Sequence, residues 1–287
     1  MEFKLYNRGE KAFPYSLTSI PQPPRQIYVQ GREVGELKQA VAVVGSRKPT
    51  RYGILVTERL TRQLAQVGIP IISGLAIGLD SIAHLAALSV EGRTIAVLPS
   101  GLNNIYPRSN VNLAKRIVKH GGSLVTEYSP DELATNYSFP ARNRIIAALA
   151  QAVLIPEAAA KSGSLITAEL ALEQGKTVMA VPGNITSKLS EGTNELIKQG
   201  ATPVTSAQDI LESLGVTVTK LAPAPLRHLS EAETTVYQLI AQGVSLTDDL
   251  LKKSQLEPSV LNQILSMLEI MQAVEQPSPD TWTPKLG

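Results

Sequence analysis

The sequence predicts an α/β chain in which a mostly parallel sheet carries helices on both faces and a small helical unit follows. Three observations carry that expectation. Short β-branched runs recur at residues 41–44, 69–72, 94–98, 123–126, 152–155 and 177–181, each continuous enough to be buried on both faces. Helically spaced apolar residues lie between them, such as Ile54, Leu55, Leu60, Leu64 and Val67, or Leu165, Ala168 and Leu172. Charge then divides the chain: residues 226–287 hold four basic and eight acidic side chains, a net of −4, leaving +6 on the first 225 of a chain whose sum is +2. Parallel strands need a crossover, and crossover helices pack on the sheet, so the first part reads as an extended Rossmann-like domain.

In chain order, residues 1–35 contain four prolines and little periodic signal, and are expected to wrap the sheet. Residues 36–214 hold the strand and helix alternation. Residues 215–228 combine Val216, Thr217 and Val218 with Pro223 and Pro225, which defeats a helix and favours an extended linker. Residues 229–287 read as a winged-helix domain, with amphipathic helices at 230–241, 246–253 and 258–271 and a strand at 273–275.

Composition removes several function classes. With 43% hydrophobic and 18% charged residues the chain can bury a core and is unlike a disordered one. It has no cysteine, which excludes disulfide scaffolds, thiolate zinc sites and cysteine nucleophiles. No signal-length apolar run opens it and none reaches the length of about 18 residues needed for a span, so no membrane role and a soluble, cytoplasmic protein are expected.

In a doubly wound sheet, ligands bind beyond the carboxyl ends of the strands. The first run ends in Gly45-Ser46-Arg47-Lys48-Pro49-Thr50-Arg51, a glycine turn and a hydroxyl with three basic residues around a helix start. The spacing matches neither a dinucleotide fingerprint nor a P-loop. Basic residues at the positive pole of a helix are unfavourable unless an anion arrives. The second run ends in Ser73-Gly74, followed by Gly78 and by Asp80 placed as a helix cap. Asp80 and His84, four apart, read as a cap and a buried helix histidine, or as an acid/base or metal pair. In Phe139-Pro140-Ala141-Arg142-Asn143-Arg144 the proline suits a first helical turn, which puts Arg142 and Arg144 at another positive pole with no acid beside them. Either they meet phosphate or they pair with carboxylates elsewhere. Ser162-Gly163-Ser164 opens a further helix, as an anion nest or a plain cap. Three scattered histidines and no G-x-S-x-G elbow give no catalytic residue, and no metal or cofactor site emerges. A pocket rich in arginine, serine and glycine reads as a phosphate-binding one.

Taken together, Val44-Gly45-Ser46-Arg47, the segment from Ser73 to His84, Phe139-Pro140 with Arg142-Asn143-Arg144, Ser162-Gly163-Ser164-Leu165, and Pro182-Gly183 with Gly192-Thr193-Asn194 resemble the DNA-processing protein A family, DprA or Smf, over roughly residues 13–204. Longer members carry an N-terminal helical domain not found here, and Ala148 stands where a glycine is expected. The resemblance implies a homodimeric, cofactor-free, non-enzymatic binder of single-stranded DNA that protects incoming DNA during natural transformation and loads RecA. It carries over Gly45, Ser46, Arg47, Arg51, Ser73, Gly74, Arg142, Asn143, Arg144, Ser162, Gly163 and Ser164 as the DNA-binding set, with Tyr137 or Phe139 stacking on a base. Only 4% of residues are aromatic, too few for an extended stacking platform, so binding is expected to rest on phosphates with little sequence preference. The acidic tail argues for protein contact or dimer support over duplex binding. Two alternatives keep the same sheet. One is a nucleotide phosphoribohydrolase-like enzyme, whose compact P-G-G-x-G-T-x-x-E loop is opened here, Gly192 following Gly183 nine positions on and leaving Glu195 as the candidate glutamate. The other is a nucleotide-sensing domain with a winged-helix output.

Overall fold

A computed structural model of the chain describes residues 2–216, 230–270 and 273–284. It divides into two compact units, Met1–Val218 and Thr219–Gly287. Most of the expected linker, from residue 217 to 228, lies outside the described residues.

The first unit begins with β1 (Lys4–Asn7), β2 (Gln26–Gly31) and β3 (Val41–Val43), then α1 (Arg51–Gln66), β4 (Ile71–Ser73), α2 (Leu79–Leu88) and β5 (Thr94–Val97). It continues with α3 (Val111–Lys119), β6 (Ser123–Thr126), α4 (Ser138–Leu149), β7 (Ala152–Ile155) and α5 (Gly163–Glu173). It ends with β8 (Thr177–Ala180), α6 (Glu191–Lys198), β9 (Thr202–Pro203) and α7 (Ala207–Ser213). The strands form one nine-stranded sheet in the order β1-β2-β6-β5-β4-β3-β7-β8-β9. From β6 to β9 all neighbours are parallel, and β1 and β2 add to the β6 edge as antiparallel strands. Residues 1–35 therefore extend the sheet, which corrects the expectation that they wrap it. The segment between β1 and β2 does cover part of the core, burying Phe13, Leu17 and Ile20.

The central strands are wholly buried, as β-branched and apolar runs between two helix layers must be. In α1 the buried face is Gly53, Thr57, Leu60, Thr61 and Leu64, while Ile54 and Leu55 point outward. The chain runs outward from β3 to β6, returns, and continues from β7 to β9, so β3 and β7 are neighbours across the reversal. The crevice at such a reversal is where doubly wound folds place ligands.

The second unit holds α8 (Glu231–Ala241), α9 (Thr247–Ser254), α10 (Pro258–Ile270) and a hairpin of β10 (Val274–Ser278) and β11 (Thr281–Pro284). Ser230 and Glu233 form a reciprocal capping box at the start of α8. Its own core joins Val236, Ile240, Leu250, Leu261, Leu265, Leu268 and Trp282. Three helices and a two-stranded wing make it a winged-helix domain.

Candidate functional site

Two parallel strands end side by side at β3 and β7, and the loops after them open a cleft of about 440 Å³. Gly45, Ser46 and Arg47 line it from the β3 side, Phe139, Arg142 and Asn143 from α4, and Lys161 to Ser164 from the start of α5. Gly45 is required by packing: a Cβ there would lie 2.6 Å from Leu79 Cδ1 and 2.9 Å from the Glu157 carbonyl. Ser46 anchors the turn, its N–H donating to the Glu157 carbonyl (2.9 Å) and its own carbonyl accepting from Leu79 (3.1 Å). Arg47 is exposed and lies over the Phe139 ring, 5.6 Å from its centroid, a cation–π contact that holds the guanidinium at the cleft wall.

The start of α1 is satisfied from within. Thr50 caps the helix by accepting the Gly53 N–H (3.1 Å), and it donates both its N–H and its hydroxyl to the carboxylate of Glu157, each at 2.8 Å. Glu157 is 1% exposed. A carboxylate from the loop after β7 thus already sits at this positive pole, which corrects the expectation that the pole awaits an external anion. Arg51, exposed on the first turn, does not line the cleft.

Opposite behaviour marks α5. Its N-cap Ser162 accepts from the Ser164 N–H (3.4 Å), and the two hydroxyls are 2.8 Å apart. No acid lies in its first turn, and Gly163 has open space above it. The turn therefore presents backbone N–H groups and two hydroxyls to the cleft, with Lys161 beside them. Lys161 was not among the expected site residues, although a cation directly before Ser-Gly-Ser is visible in the sequence.

The two arginines of α4 part ways. Arg142 reaches the cleft wall but is only 5% exposed, and its Nη1 donates to the carbonyls of Gly74 (2.6 Å) and Val97, at the ends of β4 and β5. Its Nε donates to Asn143 Oδ1 (3.1 Å). Burial, opposed by Asp80 and assisted by Arg47, lowers its pKa to about 10, so it stays charged at neutral pH. Arg144 pairs with Glu127 and does not line the cleft. Of the two readings open for these arginines, pairing with a distant carboxylate holds for Arg144 through Glu127, whereas Arg142 is tied to backbone carbonyls with the charge of Asp80 nearby.

Ser73 and Gly74 form the layer behind. The Ser73 hydroxyl donates to the Val43 carbonyl (2.6 Å), and a Cβ on Gly74 would collide with the Arg142 guanidinium. Asp80 is the second residue of α2 and not its cap; it accepts from the N–H groups of Gly74 (3.0 Å) and Ala76 (3.4 Å). Burial raises its pKa, with Arg142 and these donors opposing. His84 does not meet Asp80. Its Nδ1 donates to the Thr94 hydroxyl (2.7 Å), which itself donates to the Ile71 carbonyl, and burial and Arg142 push its pKa down to about 3. Phe139 stands edge-on to Tyr106, centroids 5.2 Å apart, whereas Tyr137 is 88% exposed and outside the cleft. Glu195 also lies outside, bonded to Gln199 and paired with Lys198. Among the described residues no group of three or more His, Asp or Glu could hold a metal, and no helix is long and apolar enough to cross a membrane.

Known proteins share this architecture. The sequence model of DNA recombination-mediator protein A matches residues 4–215, and that of the DprA winged helix domain matches residues 220–278. DNA processing protein DprA of Bacillus subtilis is 42% identical over 207 residues, covering 72% of this chain and 69% of its own. Protein Smf of Escherichia coli is 43% identical over 234 residues, 82% of this chain and 61% of its own. The X-ray structure of DprA from Streptococcus pneumoniae superposes with a TM-score of 0.69 at 40% identity over 74% of each chain. A structure reported for the single-stranded DNA binding mode of DNA processing protein A from Helicobacter pylori gives 0.67 at 33% identity, over 75% of this chain and 96% of that one.

Proposed function

This chain belongs to the DNA recombination-mediator protein A family, and from that premise we propose that it binds single-stranded DNA without sequence preference, protects it during uptake and loads RecA onto it. One observation carries the binding step: at the reversal of the sheet, Arg47 and Lys161 face a helix start whose first-turn donors have no internal acid. That is a site for phosphate oxygens, taken by charge-assisted hydrogen bonds from the cations and by N–H and hydroxyl donors of residues 162–164. Phe139 offers a ring for one base. Because phosphates carry the contact, affinity depends on salt and not on sequence.

The protein acts on this reading as a cytoplasmic homodimer, in which two modest sites on one strand reinforce each other through effective concentration. It is a carrier and not an enzyme. The cleft carboxylate, Asp80, is committed to two backbone N–H groups, and Arg142 to carbonyls, which leaves neither disposed for acid/base work. The winged-helix domain, with its net charge of −4 over residues 226–287, serves protein contact.

Fluorescence anisotropy with a labelled oligothymidine and the matching duplex, each across a salt series, tests the binding step. The single strand is expected to bind tighter, log affinity falling against log salt by about 0.7 per phosphate contacted. Equal or tighter duplex binding overturns it, and release by excess mononucleotide would indicate a nucleotide sensor. Faster RecA filament growth on protein-coated single strands tests the loading step.

A further inference from the structure

Beside the first cleft lies a second one, of about 640 Å³, formed by the loop after β5, the start of α3 and the β6 edge of the sheet. Its floor is apolar, with Phe3, Leu102 and Leu124, Gln30 lies buried among its lining, and Asn104 lines it with Nδ2 donated to the Asp131 carbonyl (2.7 Å). Tyr106 lines it, and Tyr106 is the ring that stands edge-on to Phe139 of the first cleft. The two clefts therefore share a wall of side chains in contact, running from Arg47 over Phe139 to the edge-on Tyr106.

Charge on the 101–122 side of this cleft is one-signed, while the facing loop of Leu133 and Ala134 carries Asp131 and Glu132. Residues 101–122 contain Arg108, Lys115, Arg116 and Lys119 and no carboxylate. Arg108 and Lys115 line the second cleft and are exposed, and among the described residues no acid pairs with either. On that facing loop Asp131 accepts from Asn103 Nδ2 (2.7 Å) and Glu132 from the Ser129 N–H (3.4 Å). The loop after β5 is held in place before any ligand arrives: Gly101 N–H donates to the Glu132 carbonyl (2.9 Å), Asn103 N–H to that of Pro130 (2.9 Å), and Ser100 Oγ to that of Asn104 (2.7 Å). Asn110 Nδ2 ties the same loop to the Leu75 carbonyl (2.8 Å), behind the first cleft.

We propose that the strand held in the first cleft continues past Phe139 and Tyr106 into this second cleft, which houses a base and takes the following phosphates on Arg108 and Lys115. The chemistry fits a nucleobase: a flat apolar face for the floor, the exposed Tyr106 ring at the wall for stacking, and anions for the cations at the mouth. A preset loop loses little entropy on binding. The inference rests on the single-strand reading of the first cleft.

A ladder of labelled oligothymidines, from about 4 to 16 nucleotides to span known site sizes, separates the two claims by anisotropy. In the double variant Arg108→Ala/Lys115→Ala the shortest strand should bind as in wild type. The longest should bind about tenfold more weakly, with a salt slope smaller by about 1.4 for two lost phosphate contacts. Tyr106→Ala should repeat that length dependence, whereas Arg47→Ala should weaken every length. Wild-type affinity of the double variant and of Tyr106→Ala for the longest strand, with Arg47→Ala impaired throughout, overturns the extension and leaves the first cleft standing. If Arg47→Ala is also without effect, the single-strand reading falls and takes the extension with it. In the unmutated protein, a strand bearing photoreactive thymine analogues should crosslink to residues 101–115; adducts confined to the first cleft again overturn the extension.

Discussion

Helices α1 and α5 start beside each other, each just beyond one of two adjacent parallel strands, yet they resolve the same electrostatic problem in opposite ways. At α1 the positive pole meets the buried carboxylate of Glu157, 107 positions along the chain from the capping Thr50. At α5 the first turn holds no acid, among the described residues no carboxylate is hydrogen-bonded to it, and the Ser162-Gly163-Ser164 turn faces the cleft. The richly basic helix start is thus the closed one and the uncharged start is the open one. Charge written next to a helix terminus describes what flanks it, and only the fold says what fills it.

Removing the internal anion should give the largest effect. Glu157→Ala strips Thr50 of two bonds and empties a buried position, at a cost of about 3 kcal/mol by urea unfolding, while oligonucleotide affinity of the folded protein changes little. A strong loss of affinity without loss of stability would erase the distinction between the two helices. Arg47→Ala should do the reverse, weakening binding to all single strands by about 1 to 3 kcal/mol in anisotropy titrations and leaving the unfolding midpoint in place.

Acid probes the wall behind both helices. His84 has a folded-state pKa of about 3 against an ordinary 6.5, so the unfolded chain binds the proton more readily, and the histidine's contribution is complete above pH 6.5 and lost as pH falls towards 3. At pH 5.5 the loss from this residue is on the order of 1 kcal/mol. Asp80, raised by burial, works in the other direction, so the measurement is the difference between wild type and His84→Gln across a series of thermal melts. A difference independent of pH would mean that His84 binds its proton equally well in the folded and the unfolded chain. The smallest effect belongs to Ser162→Ala, about 1 kcal/mol or less in stability as a lost cap. A several-fold drop in single-strand affinity should accompany it, which sharpens the assignment of α5 as the open start.

Much of the fold is legible in the sequence because buried parallel strands read as continuous apolar runs, and residues 152–155 coincide with β7 while 123–126 coincide with β6. The antiparallel strands β1, at the edge, and β2 beside it escape notice, since Lys4-Leu5-Tyr6-Asn7 and the stretch around Tyr28 mix polar and apolar residues on this half-exposed side of the sheet. The inner face of α1 is read only in part: Leu60 and Leu64 belong to the expected apolar spacing, whereas Gly53, Thr57 and Thr61, small residues that let helices approach, carry no apolar signal. At the cleft, the turns after β3 and before α5 could be read from glycine and serine alone. The fates of Arg142 and Arg144 could not, because their partners are the carbonyls of Gly74 and Val97 and the carboxylate of Glu127, brought near only by strand order. The basic, acid-free stretch of residues 101–122 was readable but is masked by a near-neutral chain.

The chain contains a single tryptophan, Trp282, and it is buried in the core of the winged-helix domain, its Nε1 donating to the Thr247 hydroxyl (3.0 Å). Its emission consequently monitors that domain alone, while far-ultraviolet circular dichroism is dominated by the larger Rossmann-like unit. One denaturation series followed with both signals therefore yields two separate melting curves, and shows without labels or cutting the chain whether the halves unfold together.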